Sequence, residues 1–403
     1  MFEKVRPVVD KARSINPDLG IVYTVMGGVA EYDGDPQTAE KYYRKSIEVS
    51  SSEVTAYIWL ALLNENYLGQ PLEAISLYEK ALELDPVMVL QRTNLAVTLS
   101  IVGRHEEAMQ VARDALDINA TDGFMRSVAG ELVVMQYGRL ADALSWSQRA
   151  AQLEARYNAN VAWTYVRLGD FDTARPWYEQ YQLDFPNGSD GPWLSIEYFR
   201  ASGAQQEAAK VSEELLGHSS DTFQLDYPLK VIRDYSIDTD RIEDAIDKYR
   251  QHLPELFLSE PKIHNATFSS AIDLVLLLKL SGQNNAVDTL AAGCFELMQT
   301  MPRMALSGIG LQDVELHAIL GNRDAAIESL AEAVAEGYTM YHDPLRRDRN
   351  FESIKDDPEF KRLMGIIQDR VATELAKVRE MEQAGRLART PEELDGIQFD
   401  LSL

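Results

Sequence analysis

Few residues in this chain have the types and spacing that catalysis or metal binding requires. His105, Glu106 and Glu107 lie in a row, but successive side chains of a helix point about 100° apart, so they indicate a solvated first turn. The single cysteine, Cys294, cannot form a paired-thiolate zinc site, and none of the six histidines belongs to an HExxH pair. The segment SGIGLQD at 307–313 lacks the third glycine of a dinucleotide-binding turn. We therefore predict no catalytic, cofactor-binding or metal-binding residues.

The elements that would position binding residues repeat along the chain. The segment YLGQPLEAISLYEKALELDP at 67–86 matches IVGRHEEAMQVARDALDINA at 101–120, with an offset of 34 residues. A period of this length is typical of helix-turn-helix repeats, in which glycine takes a positive φ at the turn and a small side chain lies where the helices cross. We expect Ala74, Ala108, Ala143 and Ala174 at such crossings. The pattern predicts nine turns, at Gly34, Gly69, Gly103, Gly138, Gly169, Gly203, Asp240, Gly282 and Gly321.

These units resemble tetratricopeptide repeats. The unit from Thr55 has the small and aromatic residues of that family at Ala61, Ala74, Tyr78 and Ala81, followed by Pro86, and the unit from Ala155 has them at Ala162, Tyr165, Ala174 and Tyr178, followed by Pro186. The resemblance implies an all-α fold. It implies a right-handed α-solenoid (superhelix) of about nine antiparallel helix hairpins with a C-terminal helical cap.

The predicted organisation has four parts. Residues 1–19 are the end of a preceding hairpin, 20–336 the tetratricopeptide repeat array, 337–389 a capping segment with a C-terminal helix, and 390–403 a terminal tail. The segment 340–364 is similar to the one that closes such arrays in bacterial winged-helix regulators and in array-bearing adenylate cyclases. This similarity is compatible with an upstream winged-helix or cyclase domain in a longer protein. The matching residues are Pro344, Leu345, Arg346, Phe351, Asp357, Pro358 and Phe360.

The terminal tail alternates apolar and polar residues. Its apolar residues are Ile397, Phe399, Leu401 and Leu403. This alternation is typical of a docking strand, although a frayed terminus is the commoner outcome.

The charge of the chain restricts its partners. The net charge is −25, from 39 basic and 64 acidic residues, which disfavours nucleic-acid binding by this chain alone and attraction to anionic membranes. The first residues lack the apolar core of a secretory signal, and the longest apolar run is interrupted by Asp273 and Lys279, so membrane insertion is not expected. We expect a cytoplasmic protein or, alternatively, the periplasmic portion of a membrane-anchored one.

The resemblance also implies where a partner binds. In the family the first helix of each hairpin lines the concave groove, and aromatic, Met, Arg and amide side chains suit a peptide there. An alternative is that the Trp and Met side chains pack in the core between hairpins. Thr24 and Val25 occupy places where some relatives carry a clamp for a C-terminal carboxylate, so that clamp is absent. The residues that correspond to the groove are Trp59, Tyr67, Asn94, Met125, Asn160, Trp163, Arg167, Trp193 and Arg200.

We therefore predict a non-catalytic protein-interaction module that binds a peptide or protein segment in the concave groove, without cofactors. One alternative is an effector-sensing regulatory domain of a bacterial transcription regulator or adenylate cyclase. A second alternative is a scaffold that assembles envelope or multiprotein complexes.

Overall fold

The computed structural model describes residues 2–119, 121–218, 225–299, 311–335, 338 and 348–399. The regular elements in these ranges are α-helices and short 3-10 turns, so the predicted all-α solenoid class is confirmed. In the described part of the chain no helix combines the length and the apolar character that crossing a membrane requires. The α-helices are α1 (Phe2–Ile15), α2 (Gly20–Tyr32), α3 (Pro36–Val49), α4 (Val54–Asn66), α5 (Pro71–Leu84), α6 (Val89–Ile101), α7 (His105–Ile118), α8 (Gly123–Tyr137), α9 (Leu140–Leu153), α10 (Asn158–Arg167), α11 (Phe171–Asp184), α12 (Gly191–Ser202), α13 (Gln205–His218), α14 (Asp226–Asp238), α15 (Ile242–His252), α16 (Phe268–Leu280), α17 (Asn284–Met298), α18 (Gln312–Leu320), α19 (Arg323–Ala335) and α20 (Pro358–Gln383).

From α2 to α19 the helices pair as the first and second helix of successive hairpins. The residue at every predicted turn has a positive φ, for example 83° at Gly321 and 57° at Asp240. Asp240 is the one non-glycine residue with a positive φ in the described ranges, and a short polar side chain tolerates this conformation better than most. All nine predicted turn positions are therefore confirmed.

Local signals in the sequence explain where the second helices begin. The carboxylate of Asp35 accepts a hydrogen bond from the backbone amide of Thr38 at 3.0 Å and caps α3. Asp170 caps α11 in the same way, with the backbone amide of Thr173 as donor. Proline is the first residue of α3 and of α5, where a helix needs no amide hydrogen. Aspartate and proline therefore fix the start of a second helix shortly after the glycine turn.

Small side chains allow the paired helices to approach closely. Ala74, Ala108 and Ala174 are fully buried, and Ala143 is 2% exposed, as predicted. The aromatic ring of Tyr43 on α3 occupies the space where a side chain at Gly27 on α2 would be. Larger side chains at these crossings would overlap with the neighbouring helix.

The chain forms two compact units, residues 1–118 and 119–403. The first unit contains α1 to α7, and Ala39, Tyr43, Leu60 and Leu63 are buried in its core. The second unit contains α8 to α20, and one of its core clusters extends from Leu216 on α13 to α18.

Helix α20 covers the last hairpin of the second unit. Asp357 caps this helix by accepting hydrogen bonds from the backbone amides of Glu359 at 2.8 Å and Phe360 at 3.2 Å. Phe360 and Leu363 are buried in one cluster with Leu330 of α19. The described part of the predicted capping segment thus shields the apolar face of α19. Of the predicted cap residues, Pro344, Leu345 and Arg346 lie outside the described residues.

Candidate binding cavity in the second unit

The first helices of the second unit line one common cavity, which has a volume of about 650 Å³. Side chains from α8, α10, α12, α14, α16 and α18 reach it, so six successive hairpins contribute. Asn160, Trp163 and Arg167 lie on one face of α10 because their spacing of three and four residues corresponds to about one helical turn. Trp193 and Arg200 reach the cavity from α12. Five of the nine residues predicted for the groove therefore lie at one cavity.

The two arginines of this cavity are held in place by carboxylates. The guanidinium of Arg167 lies 2.9 Å from a carboxylate oxygen of Glu131 on α8. Arg200 is buried, forms an ion pair of 2.8 Å with Asp234 on α14, and lies 5.4 Å from the centre of the Tyr227 ring. Both side chains are thus fixed by neighbouring hairpins rather than free in solvent.

The other four predicted residues do not line this cavity. Trp59, Tyr67 and Asn94 are half-buried in the first unit, where Trp59 meets the ring of Tyr43 edge-on at 6.0 Å between centres. Met125 is 0% exposed and belongs to the core of the second unit. The helical spacing of Met125 is compatible with either the core or a groove, and its side chain packs in the core.

Directly beneath the cavity is a buried network of ion pairs that the sequence did not reveal. Arg233 on α14 is 0% exposed and pairs with Asp273 on α16, with Asp234 at 2.6 Å and with Asp348 at 2.8 Å. Lys230, one turn earlier on α14, lies 2.7 Å from Asp348 and 3.0 Å from Glu315 on α18. This network connects three hairpins to the segment that precedes α20.

An amide completes the network. Asn350 donates hydrogen bonds of 2.9 Å to Asp273 and to Glu315, and its carbonyl oxygen accepts one of 2.8 Å from Arg233. Buried charges are costly unless they are paired and hydrogen-bonded, and these contacts offset that cost.

The described residues around and beneath the cavity carry more acids than bases. Seven carboxylates face four cations, an excess of three formal negative charges. These residues, which we call the cavity charges, are Glu131, Glu197, Asp226, Asp234, Asp273, Glu315 and Asp348, with Arg167, Arg200, Lys230 and Arg233.

Burial changes the pKa values of several cavity charges. It raises the pKa of Asp226 to about 7, although a hydrogen bond of 2.6 Å from the Ser270 hydroxyl opposes the shift. It also raises the pKa of Glu315 to about 7, against the attraction of Lys230. Burial would raise the pKa of Asp348 as well, but its neighbours Lys230 and Arg233 hold that pKa below the usual range. The cavity therefore contains carboxyl groups that titrate near neutral pH beside Asp348, which stays ionised.

One signal in the sequence could have located this network. The face of α14 that begins at Asp226 carries Lys230, Arg233 and Asp234 at four, seven and eight residues further along the chain. This spacing is that of one helix face. Charged side chains of both signs on one face of a first helix can form ion pairs with neighbouring hairpins, and those of α14 do so. Their partners on α16 and α18 could not be inferred, because those residues are remote in sequence.

A second feature of this unit is the segment that follows α20, which is held on the surface of α9 to α11. The Gln148 amide donates to the Ala388 carbonyl at 2.7 Å and accepts from the Ala388 backbone amide at 2.8 Å. Tyr165 donates to the same carbonyl at 3.0 Å, and the indole of Trp177 donates to the Arg389 carbonyl at 2.9 Å. The side chains of these helices thus bind the main chain of this segment. Leu401 and Leu403 of the predicted docking strand lie outside the described residues.

Successive helical hairpins whose first helices share one polar and aromatic cavity define a helical-repeat protein. Models of the tetratricopeptide repeat family match residues 26–86, 91–120 and 155–182. The chain thus contains tetratricopeptide repeats in these segments, and such repeats support a role as a protein–protein interaction module.

Comparisons with individual proteins give partial matches. A segment of 136 residues, 32% of this chain, is 29% identical to Cell division cycle protein 16 homolog of Homo sapiens and covers 22% of it. A segment of 229 residues, 53% of this chain, is 23% identical to TPR repeat-containing protein YpiA of Bacillus subtilis (strain 168) and covers 51% of it. The solved structure of pilF from Pseudomonas aeruginosa is 20% identical, with a TM-score of 0.36 over 51% of this chain and 91% of that chain. The matched region thus spans between about a fifth and about half of these curated relatives.

Proposed function

We propose that this protein is a non-catalytic interaction module and that the cavity of the second unit binds a segment of a partner protein. The observation that supports this most is the convergence of six first helices on one cavity with Trp163, Trp193 and Arg167 at its wall. Aromatic and arginine side chains supply much of the energy of protein interfaces. Rigid helices present them here at little cost in conformational entropy.

Site-specific photo-cross-linking tests this proposal. Replacement of Trp163 or Trp193 by the photoreactive residue p-benzoylphenylalanine places a cross-linker of similar size in the cavity wall. The matched control places it at Arg175, which lies on the second helix of the same hairpin as Trp163 and has a side chain that is 57% exposed. We expect both cavity positions to cross-link to the same segment of one partner, identified by mass spectrometry. Cross-links to that partner from position 175 alone would refute binding in the cavity.

A quantitative test then uses the identified segment as a synthetic peptide. Trp193→Ala should weaken its binding at least tenfold, about 1.4 kcal/mol, because an aromatic anchor is lost. Arg175→Ala should leave the affinity unchanged, and equal losses in both variants would contradict the assignment.

The volume of the cavity favours a second candidate function. About 650 Å³ lies within the range of small-molecule sites, roughly 300–1,000 Å³, so an effector-sensing domain would fit the same geometry. The length of the ligand distinguishes the two functions. A peptide from the partner segment should lose affinity when it is shortened from both ends, whereas a small effector binds without any flanking residues.

A further inference from the structure

The charge around the cavity indicates what kind of side chain it accepts. Each of the four cations among the cavity charges forms an ion pair within the protein. The pairs are Arg167 with Glu131, Arg200 with Asp234, Lys230 with Glu315 and Asp348, and Arg233 with Asp234, Asp273 and Asp348. An anionic ligand would have to break these pairs and would add to an existing excess of negative charge. The electrostatics therefore disfavour an acidic or phosphorylated segment.

Two carboxylates of the described cavity wall form no such ion pair, although nearby cations attract both of them. Within the described residues, neither Glu197 on α12 nor Asp226 on α14 forms an ion pair with a Lys or Arg side chain. Asp226 accepts a hydrogen bond from the hydroxyl group of Ser270, which is uncharged. Burial raises the pKa of Glu197, although Arg167 and Arg200 act against it. A positive charge placed between α12 and α14 would stabilise the ionised form of both groups.

Aromatic rings lie at the same wall. Glu197 is one helical turn after Trp193 on α12, and Tyr227 follows Asp226 on α14, while Trp163 reaches the cavity from α10. Aromatic faces attract cations, and carboxylates bind guanidinium groups through paired hydrogen bonds. The cavity thus combines the two kinds of group that bind a basic side chain, in a space large enough to enclose one.

We propose that the cavity between α10, α12 and α14 accepts a positively charged side chain of the partner segment, with Glu197 and Asp226 as its counter-charges and Trp163 and Trp193 as its walls. Arginine fits best, since its planar guanidinium both pairs with carboxylates and stacks on rings. This inference rests on the proposed function, because it names the chemistry of the segment that the cavity binds.

The titration of the cavity gives the proposal a pH dependence. Asp226 faces Ser270 and Asp273 of α16 and Lys230 of its own helix. Its pKa of about 7 means that a cation that needs Asp226 ionised binds with release of a proton. Affinity should therefore rise about tenfold from pH 6 to pH 8.

The test uses defined peptides and the full chain. Isothermal titration calorimetry would compare acetyl-Gly-Gly-Arg-Gly-Gly-amide with the same peptide carrying citrulline or glutamate in place of arginine. Citrulline has almost the shape of arginine without its charge, so the pair isolates the electrostatic contribution. We expect the arginine peptide to bind at least tenfold more tightly than the citrulline peptide. Equal affinities, tighter binding of the glutamate peptide, or no measurable binding of the arginine peptide would overturn the inference.

Two variants connect the binding to the cavity. Glu197→Gln and Asp226→Asn keep the side-chain shape and should each reduce the preference for arginine over citrulline at least threefold. Asp172→Asn, at a side chain of α11 that is 97% exposed, removes the same charge outside the cavity and should have no effect. An equal reduction in all three variants would show a nonspecific effect of net charge and would overturn the assignment.

The outcomes separate this inference from the proposed function. Cross-links from positions 163 and 193 to a segment without Lys or Arg would leave the cavity as the binding site and refute the basic side chain. Arginine-selective binding that Glu197→Gln abolishes, without a cross-linked protein segment, would instead support the basic group and refute the protein ligand.

Discussion

Removal of the buried guanidinium of Arg233 should destabilise the second unit more than removal of any exposed arginine. Arg233→Leu would leave Asp273, which is also fully buried, with Asn350 and Tyr249 as hydrogen-bond partners and its nearest remaining cation, Lys230, at 3.8 Å. Loss of one member of a buried ion pair costs about 3–5 kcal/mol. For a unit of this size that corresponds to a fall in the thermal midpoint of roughly 6–20 °C.

Urea unfolding of the full chain measures this effect. Four of the five tryptophans lie in the second unit, so tryptophan fluorescence mainly follows its unfolding, while circular dichroism follows both units. Arg250→Leu is the matched control because Arg250 on α15 is half exposed and pairs with Asp247 at the surface, where ion pairs contribute less than about 1 kcal/mol. The double variant Arg233→Leu with Asp273→Asn should regain part of the loss, since it removes the unpaired charge. A cost below about 1 kcal/mol for Arg233→Leu would refute the view that this network holds the hairpins together.

Three further predictions concern packing, the C-terminal segment and pH. Ala108→Leu should overpack the α6–α7 hairpin and cost about 1–3 kcal/mol, whereas an unchanged thermal midpoint would argue against the assigned crossing. Gln148→Ala should remove the two hydrogen bonds between the Gln148 side chain and the backbone of Ala388, which should lower stability by about 1–3 kcal/mol. Trypsin should then cleave faster after Arg386 and Arg389, and unchanged cleavage would contradict the docking. Because burial raises the folded-state pKa of Asp226 to about 7, above its value of about 3.9 in unfolded chains, this group should lower stability as pH rises from about 4 to 7. Thermal unfolding at pH 5.5 and at pH 8 measures this loss of stability. The loss should be smaller in Asp226→Asn than in the wild type, and unchanged in Asp172→Asn.

The turns and helix crossings could be predicted because each depends on one or two residues close in sequence. A left-handed turn needs glycine or a tolerant residue such as Asp240, and a close crossing needs a small side chain such as Ala108, so the sequence pattern contains both requirements. These local rules located every hairpin of the array.

The candidate site was only partly predictable because it depends on contacts between hairpins. Trp163 and Met125 both occur at helical spacing in first helices, yet Trp163 lines a cavity and Met125 is buried in the core. The contacts between neighbouring hairpins decide between these positions. The network around Arg233 pairs residues that are 40 and 115 positions apart, and no local pattern shows that they meet.

Hydrogen–deuterium exchange of the complex with the cross-linked partner segment tests the central claim most directly. The claim is that the cavity formed by the first helices of the second unit is the binding site. Binding should slow amide exchange in α10, α12 and α14, at residues 158–167, 191–202 and 226–238, with little change in the second helices α11 and α13. Protection confined to α11 and α13, with α10, α12 and α14 exchanging as in the free protein, would contradict the claim.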